Sequence, residues 1–212
     1  MNEWLRLRNA AWLALLTHTI AAVAMVGVLR HGLATNPDWS AREVFIVEHR
    51  ALWTSAWLCW NAAALSILYF FVCFSRTRPD NAGLRFAVML ATAGVACDLM
   101  AEAIAMGVMP AVCGDEVFTV LDRSVEMMSG YVANGLYALA TLFVVWLTRH
   151  DYRPPVWGTG FCVCGAAIAL SIAVLRNSVA GMVWSNVVLL PCIVLWQLGV
   201  AITAGKRARV LP

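Results

Sequence analysis

Two carboxylic acids four residues apart, Asp98 and Glu102, interrupt an otherwise apolar stretch from Arg85 to Met109. On a helix that spacing puts them on one face, one turn apart. A carboxyl group inside a bilayer costs about 2.5 kcal/mol or more, so such a pair marks a place where a proton, a cation or a hydrogen-bonding molecule meets it. His18 is the only histidine inside an apolar stretch. At about 1.5 Å per helical residue it lies as deep as Asp98, roughly 16 Å below the end of its span. An imidazole at that depth is a proton partner for the acids. Asn61, Asn134 and Asn186 each fall about two turns below the ends of their stretches, level with Glu102. Glu126 falls near the rim. Trp57, Trp60 and Trp184 supply indole faces suited to an apolar or cationic ligand. These groups crowd one half of the spans; the other half is nearly pure hydrocarbon apart from Gln197.

Other chemistries find less support. The histidines outside the spans are His31, His49 and His150, and no Glu-x-x-His motif occurs within a span, so zinc, di-iron and bis-histidine haem centres are not expected. Cys162 and Cys164, two apart, point to different helix faces and make a poor metal clamp. The remaining cysteines read as small packing residues. No G-x-S-x-G and no phosphate-binding glycine loop is present, and Lys206, the only lysine, lies outside the spans, which disfavours a retinal-type Schiff base. Neither a metal nor a cofactor is expected. Basic charge is almost all arginine and scattered, so nucleic acid is not an expected partner.

The elements that must position these groups follow from composition. Of 212 residues, 62% are hydrophobic and 13% charged, where soluble domains carry about 25% charged residues. This is a membrane composition, and the length leaves no room for a separate soluble domain. The expected architecture is all-α: one polytopic transmembrane bundle over residues 1–212, with spans near 10–29, 53–74, 85–109, 126–147, 156–175 and 179–204. Two short interfacial helices are expected before spans two and four. Ser40 with Glu43 matches a capping box for the first, and Val117, Phe118, Leu121 and Val125 give the second its apolar face. Asp80 or Asn81 caps span three. Ala91, Gly94, Ala101 and Ala105 accompany the acids, so that face points into the bundle. Glu126, Gly130, Asn134, Tyr137 and Thr141 form one polar stripe on span four. Span five, without an ionisable group other than cysteine, reads as structural, and Pro191 is positioned to kink span six.

With six spans both termini share a side. Ten of the 15 Lys and Arg residues fall on that side, including Arg76, Arg78, Arg149, Arg153 and Arg207. The positive-inside rule places both termini in the cytoplasm of a multi-pass cell-membrane protein. The polar half of the spans then faces outward.

The layout, six spans with an interfacial helix before the second and another before the fourth, resembles that of small bacterial six-span integral membrane proteins of unassigned function. The resemblance covers the whole chain, rests on layout, and implies no activity or catalytic residue.

The leading expectation is therefore an outward-facing intramembrane acidic site that binds or transports a small cation or lipophilic molecule with proton coupling. Asp98 and Glu102 form its charged centre, His18 the proton partner, and the asparagines its orienting groups. One alternative is a membrane-embedded acid–base enzyme, an isomerase or cyclase, acting on a lipid or isoprenoid. Another is a structural accessory subunit whose polar groups join helices. Expected partners are the lipid bilayer, a small ligand, and a second copy or a membrane complex.

Overall fold

The computed structural model describes residues 2–210. It is all-helical, with no strand among those residues, and six of its helices are long and apolar enough to cross a membrane. The long helices are α1 (Glu3–Gly27), α3 (Arg50–Arg76), α4 (Ala82–Ala103), α6 (Asn134–Thr148), α7 (Pro154–Leu175) and α8 (Val179–Val210). Two short ones, α2 (Trp39–Glu48) and α5 (Glu116–Val125), precede α3 and α6, as the two amphipathic loop segments predict.

Local chemistry sets the ends. Asn2 accepts a hydrogen bond from the Trp4 N–H at 2.9 Å, so α1 begins seven residues before the apolar stretch does. Asp38, and not the Ser40 of the expected capping box, caps α2 by accepting from the Ala41 N–H at 3.0 Å. Asn81 caps α4 through the Leu84 N–H. Pro154 and Pro155 open α7, where a missing N–H costs nothing. Asn177, at φ +51°, makes the left-handed turn from α7 to α8.

Two stretches depart from α geometry. Wider π-type turns run over Ile104–Val108, just after Glu102, and over Glu126–Ala133, joining α5 to α6. Such turns leave carbonyls poorly paired, and two side chains serve them. The Trp53 indole N–H donates to the Ala105 carbonyl at 2.8 Å, and the Asn134 amide donates to the Ser129 carbonyl at 2.9 Å. The sequence pattern predicts uninterrupted helices there; one extra residue per turn barely disturbs an apolar repeat.

The six long helices form a closed ring in chain order: each packs on its chain neighbours, and α8 packs on α1. At the end that carries the termini, the ring's interior is filled. Phe70 and Phe74 of α3 meet Trp196 of α8 at ring separations of 5.3 and 6.3 Å, and Tyr152 adds to the cluster. Gly160 makes room for this, since a Cβ there would meet Val145 and Trp196. Below the cluster Asp151 accepts hydrogen bonds from Arg78 and Arg207, joining the α3–α4 turn, the end of α6 and the end of α8. At the opposite end α2 and α5 form a lid over a second core cluster built from Leu29, Ile46, Trp53, Met109 and Phe118. Arg42 of α2, 2% exposed, pairs with Asp122 of α5 at 2.6 Å and donates to the Gly32 carbonyl.

Candidate functional site

Between the two core clusters lies a cavity of about 200 Å³. Ligand pockets for drug-sized molecules run to about 300–1,000 Å³, so this one suits a small molecule or a small headgroup. Its walls are mostly apolar, from Ile67, Val163, Leu170 and Leu189 among others.

Eight of the ten residues singled out in the sequence line it. Asp98 and Glu102 come from α4, His18 from α1, and Trp57 and Trp60 from α3. Glu126 and Asn134 come from the π segment and the start of α6, and Asn186 from α8. The polar half of the spans is thus one space, because five helices turn their polar stripes toward the ring's centre.

Two singled-out residues lie elsewhere. Asn61 is half-buried and donates to the Trp57 carbonyl one turn back, so its amide serves its own helix and not the cavity. Trp184 is 70% exposed on the bundle's outer face. The inward face of α8 there runs through Met182, Ser185 and Leu189, and Trp184 falls between those positions. It belongs with the interface-anchoring indoles, and the aromatic wall of the cavity is Trp57 and Trp60 with Tyr137.

The acids differ in their surroundings. Asp98 accepts a 2.8 Å hydrogen bond from the Tyr137 hydroxyl, and the Ser129 side chain approaches the same carboxyl. Gly94, one turn from Asp98, is what lets Tyr137 approach: a Cβ there would stand 2.7 Å from its ring. Glu102, 2% exposed, makes no hydrogen bond, and its Oε2 is fully buried. The indole N–H groups of Trp57 and Trp60 are also buried without an acceptor. Groups like these demand partners, since an unmet buried polar group costs about 1–3 kcal/mol.

His18 is buried on the α1 side. Its Nδ1 lies 2.7 Å from the Ala14 carbonyl, which accepts a hydrogen bond and therefore fixes the proton on Nδ1. Gln197 of α8, 0% exposed, packs its amide 3.3 Å from the same nitrogen. A protonated Nδ1 turns the Gln197 carbonyl oxygen, not its NH₂, toward the ring. Nε2 is left with no protein partner. Glu126, at the rim, is held by Arg123 at 2.8 Å, and Arg123 also donates to the Val174 carbonyl at the end of α7. Glu126 is thereby neutralised as a free charge. Asn186 donates to the Met182 carbonyl, and Asn134 to Ser129, so both amides serve backbone as well as lining the wall.

Tyr137, Ser129 and Gln197 are the members that sequence reading leaves out of the site. Tyr137 lies in the polar stripe of span four, so its spacing to Asn134 was the available signal. Gln197 offered only its polarity amid hydrocarbon.

Among the described residues no arginine or lysine lines the cavity. Among the described residues no group of three or more His, Cys, Asp or Glu side chains is placed to hold a metal ion. The arrangement can exchange protons at Asp98, Glu102 and His18 Nε2, and can hold a cation between carboxylates and aromatic faces. Comparison of the chain with protein-family models, with curated proteins and with solved structures finds no match.

Proposed function

We propose that the cavity binds a small organic cation, an amine or quaternary ammonium, and exchanges it for protons across the membrane. One observation carries this reading: of the three carboxyl groups that line the cavity, Glu126 is paired with Arg123, while Asp98 and Glu102 meet no arginine or lysine among the described residues. Each carboxyl must therefore hold a proton or face a cation, because an uncompensated carboxylate in a low-dielectric interior is prohibitively costly. A monovalent cation that enters displaces one proton and leaves the charge of the site unchanged. Trp57, Trp60 and Tyr137 favour an ammonium over an inorganic ion, since aromatic faces attract quaternary nitrogen by about 2 kcal/mol or more when desolvated. The unmet Glu102 Oε2 adds an acceptor for an ammonium N–H. The apolar walls exclude hydrated sodium or potassium, which bring no means of covering those walls.

The test is proton counterflow in liposomes that contain the purified chain and a pH dye. An inward tetramethylammonium gradient is expected to alkalinise the lumen well above the rate of protein-free vesicles. Asp98→Asn combined with Glu102→Gln is expected to reduce that rate at least tenfold. A wild-type rate equal to that of protein-free vesicles, or an unchanged rate in the double variant, would overturn the proposal.

A further inference from the structure

A second, larger space of about 1140 Å³ lies beside the cavity, between α1 and α8 on the bundle's outer face. Its origin is visible in the packing. In the half near the termini, Ala10, Ala11 and Ala14 of α1 and Val200, Ala201 and Ala204 of α8 are buried in one core cluster, and their small side chains bring the helices close. Toward the lidded end α1 has no buried residue after Ala21, and α8 turns its buried positions Met182, Ser185 and Leu189 away from the cleft. The two helices diverge, and the gap is walled by Val23 and Val26 on one side and Val183, Val187 and Val194 on the other.

The cleft and the cavity share Met25, Asn186 and Leu190 as walls, with Thr35 of the first loop above them. The two spaces thus meet at these four residues, and two of them, Met25 and Leu190, carry flexible apolar side chains. The α8 backbone is also loosened at this point. Pro191 supplies no N–H, so the Val187 carbonyl four residues back, on the cleft wall, has no helical donor. At the lidded end Leu33, Ala34 and Thr35 of the first loop line the cavity, and the buried Arg42–Asp122 pair and the cluster around Trp53 and Phe118 hold the lid together.

Resting on the reading of the cavity as an organic-cation site, we propose that its ligand is a single-chain cationic amphiphile drawn from the membrane. The ammonium head occupies the cavity between Asp98, Glu102 and the indoles. The hydrocarbon chain lies in the α1–α8 cleft, and the head passes between Met25 and Leu190. About 200 Å³ takes a small head, and about 1140 Å³ is ample for one hydrocarbon chain. The polarity agrees as well, acids inside and valines outside. Arg30 lines the cleft, is exposed and has no ion pair among the described residues, which leaves it free to meet a lipid phosphate.

The experiment separates head from chain. The full chain in phosphatidylcholine nanodiscs is equilibrated with labelled tetramethylammonium or with labelled dodecyltrimethylammonium, and protein-free discs supply the background. Both cations are expected to bind, and Asp98→Asn with Glu102→Gln to remove both. Val187→Trp and Val23→Trp, at exposed positions of the cleft wall that tolerate bulk, are expected to weaken dodecyltrimethylammonium at least tenfold while tetramethylammonium changes less than twofold. Unaltered dodecyl binding in both tryptophan variants would overturn the proposal, and so would equal loss of the two cations. Tetramethylammonium binding with no binding of the dodecyl compound would leave the cavity reading standing and the chain site refuted. Failure of both cations to bind the parent protein would refute both.

Discussion

At the scale of residues, the contact that shapes the acid site is Tyr137 on Asp98, and Gly94 permits it. Gly94→Ala puts a methyl group 2.7 Å from that ring, so the ring or the helix must shift. The expected cost is about 1–3 kcal/mol, the usual range for overpacking a tight core. Unfolding in mixed micelles measures it, and the cost should fall by at least half when Tyr137→Ala has already removed the ring. An equal cost in both backgrounds would mean that Gly94 acts on something other than Tyr137. This pair also marks what sequence can and cannot reveal about a site. Asp98, Glu102 and His18 were legible because an ionisable group in hydrocarbon is improbable without a purpose. Tyr137 was not, since a tyrosine in a span is ordinary and its partner lies 39 residues away. Asn61 and Trp184 misled for one reason: depth along a helix can be counted, but the direction a side chain faces depends on which neighbours the helix acquires.

At the scale of elements, the lid is held by a buried ion pair, Arg42 to Asp122, with the Gly32 carbonyl and the Trp39 ring completing the guanidinium's surroundings. Removing one partner leaves a buried charge unpaid, which typically costs about 3–5 kcal/mol. Arg42→Met alone and Asp122→Leu alone are each expected to destabilise the protein by that order. The double substitution should recover most of the loss, because two apolar side chains bury without a desolvation penalty. Chemical unfolding of the four proteins closes the cycle; additive losses would show that the two residues stabilise the lid independently. The two helices that carry this pair were readable from the amphipathic pattern of residues 39–48 and 116–125. Their pairing was hidden by the partners' separation of 80 positions along the chain. The π segments were hidden for a different reason. A wider turn shifts the helical phase by only a fraction of a turn, too little to break the apolar spacing over Ile104–Val108 or the polar stripe that runs through Glu126 and Asn134. The second segment lines the cavity through Glu126, Ser129 and Gly130, consistent with the general association of such turns with functional sites, while the first follows Glu102 by two residues.

At the scale of the whole molecule, six helices in chain order leave a centre that the sequence does not describe. Span number, span order and the shared side of the termini follow from hydropathy alone. Closure of the ring by α8 on α1, and the cavity it encloses, follow from helix phases that no single span contains. The ring is filled at the end bearing the termini by Phe70, Phe74 and Trp196 above the Asp151–Arg78–Arg207 junction, and the α1–α8 cleft lies toward the lidded end. Which leaflet that opening meets is set by orientation. Ten of 15 basic residues lie on the side of the termini, and translocation of arginine-rich short loops is disfavoured. The termini are therefore expected in the cytoplasm and the cleft in the outer leaflet. Ser40→Cys, on the exposed surface of α2, should react with a membrane-impermeant maleimide added to intact cells. A fluorescent protein fused after α8 should fold and fluoresce, as such fusions do only when they stay in the cytoplasm. Labelling of Ser40→Cys only after cells are opened would reverse the orientation, and the proposed amphiphile would then be loaded from the inner leaflet and its proton exchange would run in the opposite sense.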